Sequence, residues 1–234
     1  YGGIMATTGE EGRPPVRVGP SLVDQGAGMW AVIGILAALR RRDATGEGCE
    51  VDTSLYETSL AWVTAQLSTF LVTRRAPRKL GTENAGIAPY RGFAASDGKW
   101  LIVAAGNDNL FRRLCGVLGT RWHEEARFRT NPDRVRNREG LNALLAEAIA
   151  AAPRAEWLDR IAEAGVPCAP VLGLEEVMEE PQFDALGMLQ GAPDAELALL
   201  GLPLSFDGLR PALRRAPPAL GEANNAILGG EAGA

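Results

Sequence analysis

Apolar positions fall into distinct spacings along the chain. Residues 22–42 are apolar on every side until Arg40, Arg41 and Arg42 close the run. That pattern predicts a helix without a polar face, covered all round by other elements. Arginines at its C-terminal end complement the helix dipole. "DATGEG" then turns the chain, and Cys49–Asp52 is expected as a short strand. Residues 54–73 carry Tyr56, Leu60, Val63, Leu67 and Phe70 at helical spacing, which predicts one amphipathic helix. Further on, "YRGFAASDGKWLIVAA" reads as a β-hairpin, with Ser96-Asp97-Gly98 as the turn and Trp100–Ala105 as the second strand. Helices are expected over 107–118, 138–151 and 154–164, the last two starting at Asn137 and Pro153. Two prolines keep 165–171 extended. A short helix over 174–179 stops before Pro181. Glycines and prolines make residues 1–20 loop, with one extended piece at Val16–Val18. The stretch 186–234 is rich in Gly, Pro and Ala, with one strand expected at 202–206. Residues 74–89, basic and then Gly- and Pro-rich, read as a linker or mobile loop at a domain boundary.

Composition narrows the function classes. The 234 residues are 46% hydrophobic and 23% charged, ordinary for a soluble globular protein. A net charge of -5 argues against nucleic acid and against an anionic membrane surface as partners. The longest apolar run, Met29 to Leu39, suits a core helix better than a bilayer span. Three separated cysteines without a C-x-x-C fit a cytoplasmic, reducing location. A single histidine, His123, speaks against a His-based metal site or a His-dependent triad, so no metal is expected.

The candidate chemistry lies in "SLVDQGAGMW", residues 21–30. Asp24 at the mouth of an apolar helix reads first as an N-cap. Capping and catalysis are compatible. A helix N-terminus favours the anion by ~0.3–1 kcal/mol, and ~2 kcal/mol when partly buried. A partly desolvated but ionised carboxylate is a competent nucleophile. Gly26 and Gly28 each cost the helix ~1 kcal/mol relative to Ala, which suggests a steric reason for them: clearance for a bulky reactant. "YGGI" and "GTENAG" match neither G-x-G-x-x-G nor a P-loop and read as turns. The basic clusters at 40–42, 74–79 and 127–138 read as solvated surface. His123 is expected to be exposed, the five tryptophans to be packing residues, and Cys49 and Cys168 to be inert.

The whole chain resembles the class III CoA-transferases, or CaiB/BaiF family, in several blocks taken in order. "YGGIMATTGEEGRPPVRVGPSLVDQGAGMWAVIGILAALRRRDATGEGCEVDTSLYET" is similar to the family's central segment. "APYRGFAASDGKWLIVAAGNDNLFRRLCGVLG" is similar to the start of its small domain. "ARFRTNPDRVRNREGL" and "EWLDRIAEAGVPCAPVLGLEEVMEEPQF" resemble the rest of that domain, and "APPALGEANNAIL" the C-terminal return. The resemblance implies an α/β fold: a Rossmann-like large domain, here residues 1–80 with the catalytic helix; a small α+β domain, 81–185; and a return, 186–234. It implies an interlocked homodimer. It also implies that Asp24 attacks an acyl-CoA thioester, forms an acyl anhydride, becomes an aspartyl-CoA thioester and hands CoA to a carboxylic acid. Coenzyme A is then a substrate, and no permanently bound cofactor is expected. Backbone amides near Gln25, Gly26 and Gly28 are candidate oxyanion donors. Asn84 and Gly86 lie where some transferases carry a glycine-rich flap, which makes "GTENAGIAPY" a candidate active-site loop.

The sequence departs from the family pattern in two places. The likeness begins within the large domain, so a piece of a longer chain, or a second polypeptide that completes it, is expected. Ala223 stands where the family's "LGEH" has its histidine. Two alternatives to CoA transfer remain. One is an acyl-CoA racemase or epimerase of the same family, although "DQGAGMW" is closer to the transferases than to the racemases' "DFAGG". The other is a truncated, non-catalytic remnant.

Overall fold

The structure, a computed structural model, describes residues 1–193 and 196–228. It divides into two compact units, Tyr1–Val171 and Leu172–Ala234.

The first unit opens with a single helical turn, α1 (Ile4–Thr7), which the glycine-rich sequence did not predict. Gly3 caps it at φ 87°, a left-handed conformation that favours glycine. Residues 16–18 form no strand. Helix α2 (Leu22–Thr45) ends where Gly46 turns left-handed and its N–H reaches the Arg42 carbonyl. The expected strand at Cys49–Asp52 is absent. The helix expected over 54–73 is two helices, α3 (Leu55–Trp62) and α4 (Thr64–Thr73). Ser54 caps α3 by accepting from the Glu57 N–H. At the break, the Thr64 hydroxyl donates to the Ala61 carbonyl at 2.7 Å, a local bond that competes with the helical ladder.

The hairpin forms as expected. Strands β1 (Tyr90–Ala94) and β2 (Trp100–Ala104) pair antiparallel, with Ala94 opposite Trp100. Strand β3 (Cys168–Pro170) joins the free edge of β2, giving the order β1-β2-β3. Phe93, Leu101 and Val103 are buried in the core. Phe111 and Leu114 from α5 (Asp108–Val117), Leu141 and Leu145 from α7 (Arg138–Ile149), and Trp157 and Ile161 from α8 (Arg154–Glu163) complete it. Pro153 stands at the start of α8, as expected. Asn137 precedes α7 without capping it; its amide donates to the Arg127 and Asp133 carbonyls instead.

Helix α6 (Asn131–Arg136) lies in the stretch read as solvated and basic, and the structure corrects that reading. Arg134 is completely buried. Its guanidinium donates to the carbonyls of Ala88 (2.7 Å) and Phe128 (3.1 Å) and to Asp108 Oδ1 (2.8 Å), and stacks over the Phe111 ring at 4.5 Å. Arg138 is also largely buried, paired with Glu83 at 2.8 Å. The capping box of α6 lowers the Asp133 carboxyl from its ordinary range, chiefly because the Thr130 hydroxyl donates to it. His123 is half-buried rather than exposed. Burial raises the Cys115 and Cys168 thiols above their ordinary values.

The second unit holds α9 (Leu174–Met178), α10 (Pro181–Ala185), the two-stranded sheet β4 (Leu189–Gly191) and β5 (Ala198–Leu200), and α11 (Asn224–Leu228). The strand expected at 202–206 is only a bridge between Phe206 and Leu209. Gln190 organises this unit, donating to the Pro211 carbonyl and accepting from the Leu213 N–H.

One expectation about α2 fails. Gly26 is its single buried residue, while Met29, Trp30, Val32, Ile33, Leu36 and Leu39 are exposed. The described residues therefore do not surround the helix. Its 24 residues include an 18-residue window of mean hydropathy 1.6, long and apolar enough by length and composition to cross a bilayer. The shorter apolar run read alone did not indicate this.

Candidate functional site

Asp24 lies in a cleft of about 950 Å³. Three pieces of chain form the walls: residues 1–6, the approach to α2 from Arg17 to Asp24, and the first turns of α3 at Leu55, Tyr56 and Ser59. The sequence explains how they converge. A Cβ on Gly2 would fall 1.6 Å from Ser59 Oγ, so only glycine lets that backbone lie against α3. The Ser59 hydroxyl is turned back onto its own helix, donating to the Tyr56 carbonyl at 2.7 Å. The two glycines of "YGGI" thus serve close approach at Gly2 and a left-handed turn at Gly3.

Asp24 is not the N-cap. Ser21 holds that position and makes no side-chain cap bond; Asp24 is the third residue of the first turn, and its side chain is exposed. The Leu22 N–H reaches the Pro20 carbonyl at 2.9 Å, and the Gln25 N–H reaches Ser21 at 3.0 Å. Among the described residues, the Val23 and Asp24 N–H groups have no acceptor. A helix start leaves such donors free, and together with the dipole they attract negative charge. The cleft therefore presents a carboxylate at a helix start whose Val23 and Asp24 amides have no acceptor among the described residues.

The other candidate residues are placed elsewhere. Gln25, Gly26 and Gly28 do not line the cleft, and the Gln25 amide is spent on Ser21. Gly26 faces α3: a Cβ there would lie 2.8 Å from Thr58 Cγ2 and 2.9 Å from Trp62 Nε1. Its lack of a side chain is explained by helix packing rather than by room for a reactant. Gly28 faces open space. Asn84 and Gly86 are also outside the cleft. Their loop is tethered: Arg138 donates to the Asn84 and Ala85 carbonyls, Asn131 to the Gly86 carbonyl, and the Gly86 N–H to Asn84 Oδ1. The preceding linker is held to the N-terminal segment by the Gly81 N–H on the Gly9 carbonyl (2.8 Å) and by Lys79 on the Arg13 carbonyl (2.9 Å). Arg17 and Tyr56 also line the cleft, without a motif of their own in the sequence. The signal available was proximity in sequence to Asp24 for Arg17, and the Ser54 cap that starts α3 for Tyr56. Among the described residues, no group of three or more His, Cys, Asp and Glu side chains could hold a metal ion.

The comparisons with known proteins converge on one family. The model of CoA-transferase family III matches residues 1–224. An acetyl-CoA:oxalate CoA-transferase of Acetobacter aceti is 39% identical over 189 residues, covering 80% of this chain and 48% of that protein. An acyl-CoA transferase of Fusarium pseudograminearum is 36% identical over 232 residues, covering 97% of this chain and 51% of that protein. A crystal structure of a CaiB/BaiF family protein from Brucella suis superposes with a TM-score of 0.84 at 35% identity, covering 98% of this chain and 60% of that one. This chain spans about half the length of the curated relatives it matches. The α/β class expected from the sequence agrees with the mixed helix and sheet seen here and with that neighbour. With the family model matching nearly the whole sequence, the chain belongs to CoA-transferase family III.

Proposed function

We propose that the full-length protein transfers coenzyme A from an acyl-CoA to a carboxylic acid, with Asp24 as the nucleophile. The observation that carries this reading is the exposed Asp24 carboxylate at a helix start, beside two unspent amides in a large cleft. The names of the relatives support it: they transfer CoA to oxalate in one case and between succinyl-CoA and glutarate in another.

The proposed chemistry conserves the carboxylate. An Asp24 oxygen attacks the thioester carbon, the C–S bond breaks, and CoA leaves as the thiolate with an acyl anhydride on Asp24. The thiolate then attacks the Asp24 carbonyl carbon, releases the first acid and forms the aspartyl-CoA thioester. An acceptor carboxylate attacks that thioester, giving a second anhydride and the thiolate. The thiolate finally takes the acceptor's acyl carbon and frees Asp24. A carboxylate suits this role because it both accepts an acyl group and leaves from an anhydride. Each addition develops an oxyanion, and the Val23 and Asp24 N–H groups are the donors on hand to stabilise it. The division into residues 1–80, 81–185 and 186–234, an interlocked homodimer and a cytoplasmic location belong to the same proposal.

Replacement of Asp24 by Ala in the full-length protein should lower CoA transfer at least about 10³-fold with the fold intact. Transfer that survives this change would refute the role of Asp24. Exchange of the substrate α-proton without CoA transfer would point to the racemase alternative. Neither activity, with no further segment or polypeptide that completes the CoA site, would point to a truncated, non-catalytic remnant.

A further inference from the structure

We propose that Arg17 selects the acid: its guanidinium receives a second carboxylate, so that the cleft prefers dicarboxylic to monocarboxylic substrates. The proposal takes from the CoA-transfer reading only what happens to the acid after it binds.

Arg17 and Asp24 line the same cleft, one on the approach to α2 and the other in its first turn. The hydrogen bond recorded for Arg17 runs from its Nη2 to the carbonyl of Gly19, two residues on, at 3.2 Å. That bond uses one of five guanidinium donors and steers the side chain along its own loop. Among the described residues Arg17 pairs with no carboxylate. Two other cations that meet the N-terminal segment differ: Arg78 meets Glu11 at 3.5 Å, and Lys79 is spent on the Arg13 carbonyl. Arg17 is thus a cation without an ion-pair partner among the described residues, at the lining of a cleft that also holds Asp24 and the apolar Ile4, Val18, Leu22 and Leu55.

A short acid with two carboxylates fits that division of chemistry. One end lies at Asp24 and the free amides, the carbon chain runs along the apolar wall, and the other end meets the guanidinium. Arginine presents a planar fork that matches a carboxylate with two parallel N–H bonds. A phosphate of CoA is the competing anion. A single fork among apolar neighbours suits the singly charged carboxylate better than a dianion.

The test uses the full-length protein as wild type, Arg17→Gln and Arg17→Lys. Succinate and butyrate, nearly equal in length and differing in one carboxylate, are compared by calorimetric binding and by kcat/KM as acceptors. Arg17→Gln should lower the succinate-to-butyrate ratio about ten- to a hundredfold in both measurements, the range of a hydrogen bond to a charged group. Arg17→Lys should recover part of the loss. An unchanged ratio would overturn the proposal. So would a penalty that disappears with 3′-dephospho-CoA thioesters, which would assign Arg17 to the phosphate. Arg17-dependent binding of succinate without CoA transfer to any acid would leave this proposal standing and remove the transferase reading.

Discussion

Residues 88–171 and residues 1–73 meet the hydrophobic effect in opposite ways. In the first region, Phe111, Leu114, Leu141, Leu145 and Ile161 are completely buried under the three-stranded sheet. In the second, α2 has more apolar sequence than either strand of the hairpin and buries only Gly26. The cleft and Asp24 belong to this second, thinly covered region. The contrast separates two jobs. The first region contains its own core and can be judged by stability. The second holds the cleft with Asp24, and an apolar helix that the described residues do not surround.

Arg134 offers the sharpest way to break that contrast. Arg134→Ala strips the Ala88 and Phe128 carbonyls of buried donors and leaves Asp108 without its cation. Loss of about 3–5 kcal/mol of stability is expected, measured by denaturant unfolding. Arg134→Lys should rescue little, because a point charge cannot serve a fork of acceptors. A loss below about 1 kcal/mol, the usual range for an exposed pair, would show that the buried network contributes little.

Two glycines sharpen the comparison within α2. Gly26→Ala and Gly28→Ala gain the same helix propensity, so their difference isolates packing. At Gly26 the new methyl meets Thr58, almost wholly buried and short, with little room to yield; at Gly28 it meets nothing. Gly28→Ala should be the more stable by about 1–3 kcal/mol in thermal unfolding. Equal stabilities would mean that α2 and α3 are not in the contact described.

The smallest effect concerns pH. Asp133 titrates below its ordinary value because the Thr130 hydroxyl donates to its carboxylate. A group depressed on folding stabilises the fold above its unfolded pKa and loses that contribution as pH falls through its folded value. Thr130→Ala should raise the Asp133 titration in a carbon-detected NMR series and bring acid unfolding to higher pH. An unmoved titration would remove the hydroxyl as the cause.

The sequence carried the well-packed region better than the thinly covered one, for physical reasons. The hairpin was legible because alternation and the Ser96-Asp97-Gly98 turn agree. Helices α5, α7 and α8 were legible from periodicity. Helix α6 was not, because its charged composition hides the inward turn of Arg134, and a buried arginine is marked only by the carbonyls that gather around it in space. The break at Val63 was missed because the pattern of apolar positions runs through it, while only the Val63 backbone, at φ -99° and ψ 18°, leaves the helix. For the site, "SLVDQGAGMW" located the helix start but not its geometry. Asp24 is the third residue of the first turn rather than the cap. Gly26 answers to Thr58 and Trp62, partners about thirty residues away that no local pattern reveals.

The central claim, that Asp24 carries the acyl group and then CoA, is tested most directly by trapping. The full-length protein is incubated with an acyl-CoA, treated with borohydride or hydroxylamine, digested and mapped by mass spectrometry. The account predicts reduction to the alcohol, or a hydroxamate, on the peptide containing Asp24, dependent on the acyl-CoA and absent from Asp24→Ala. Turnover with the Asp24 peptide unmodified, or with a different carboxylate labelled, would contradict it.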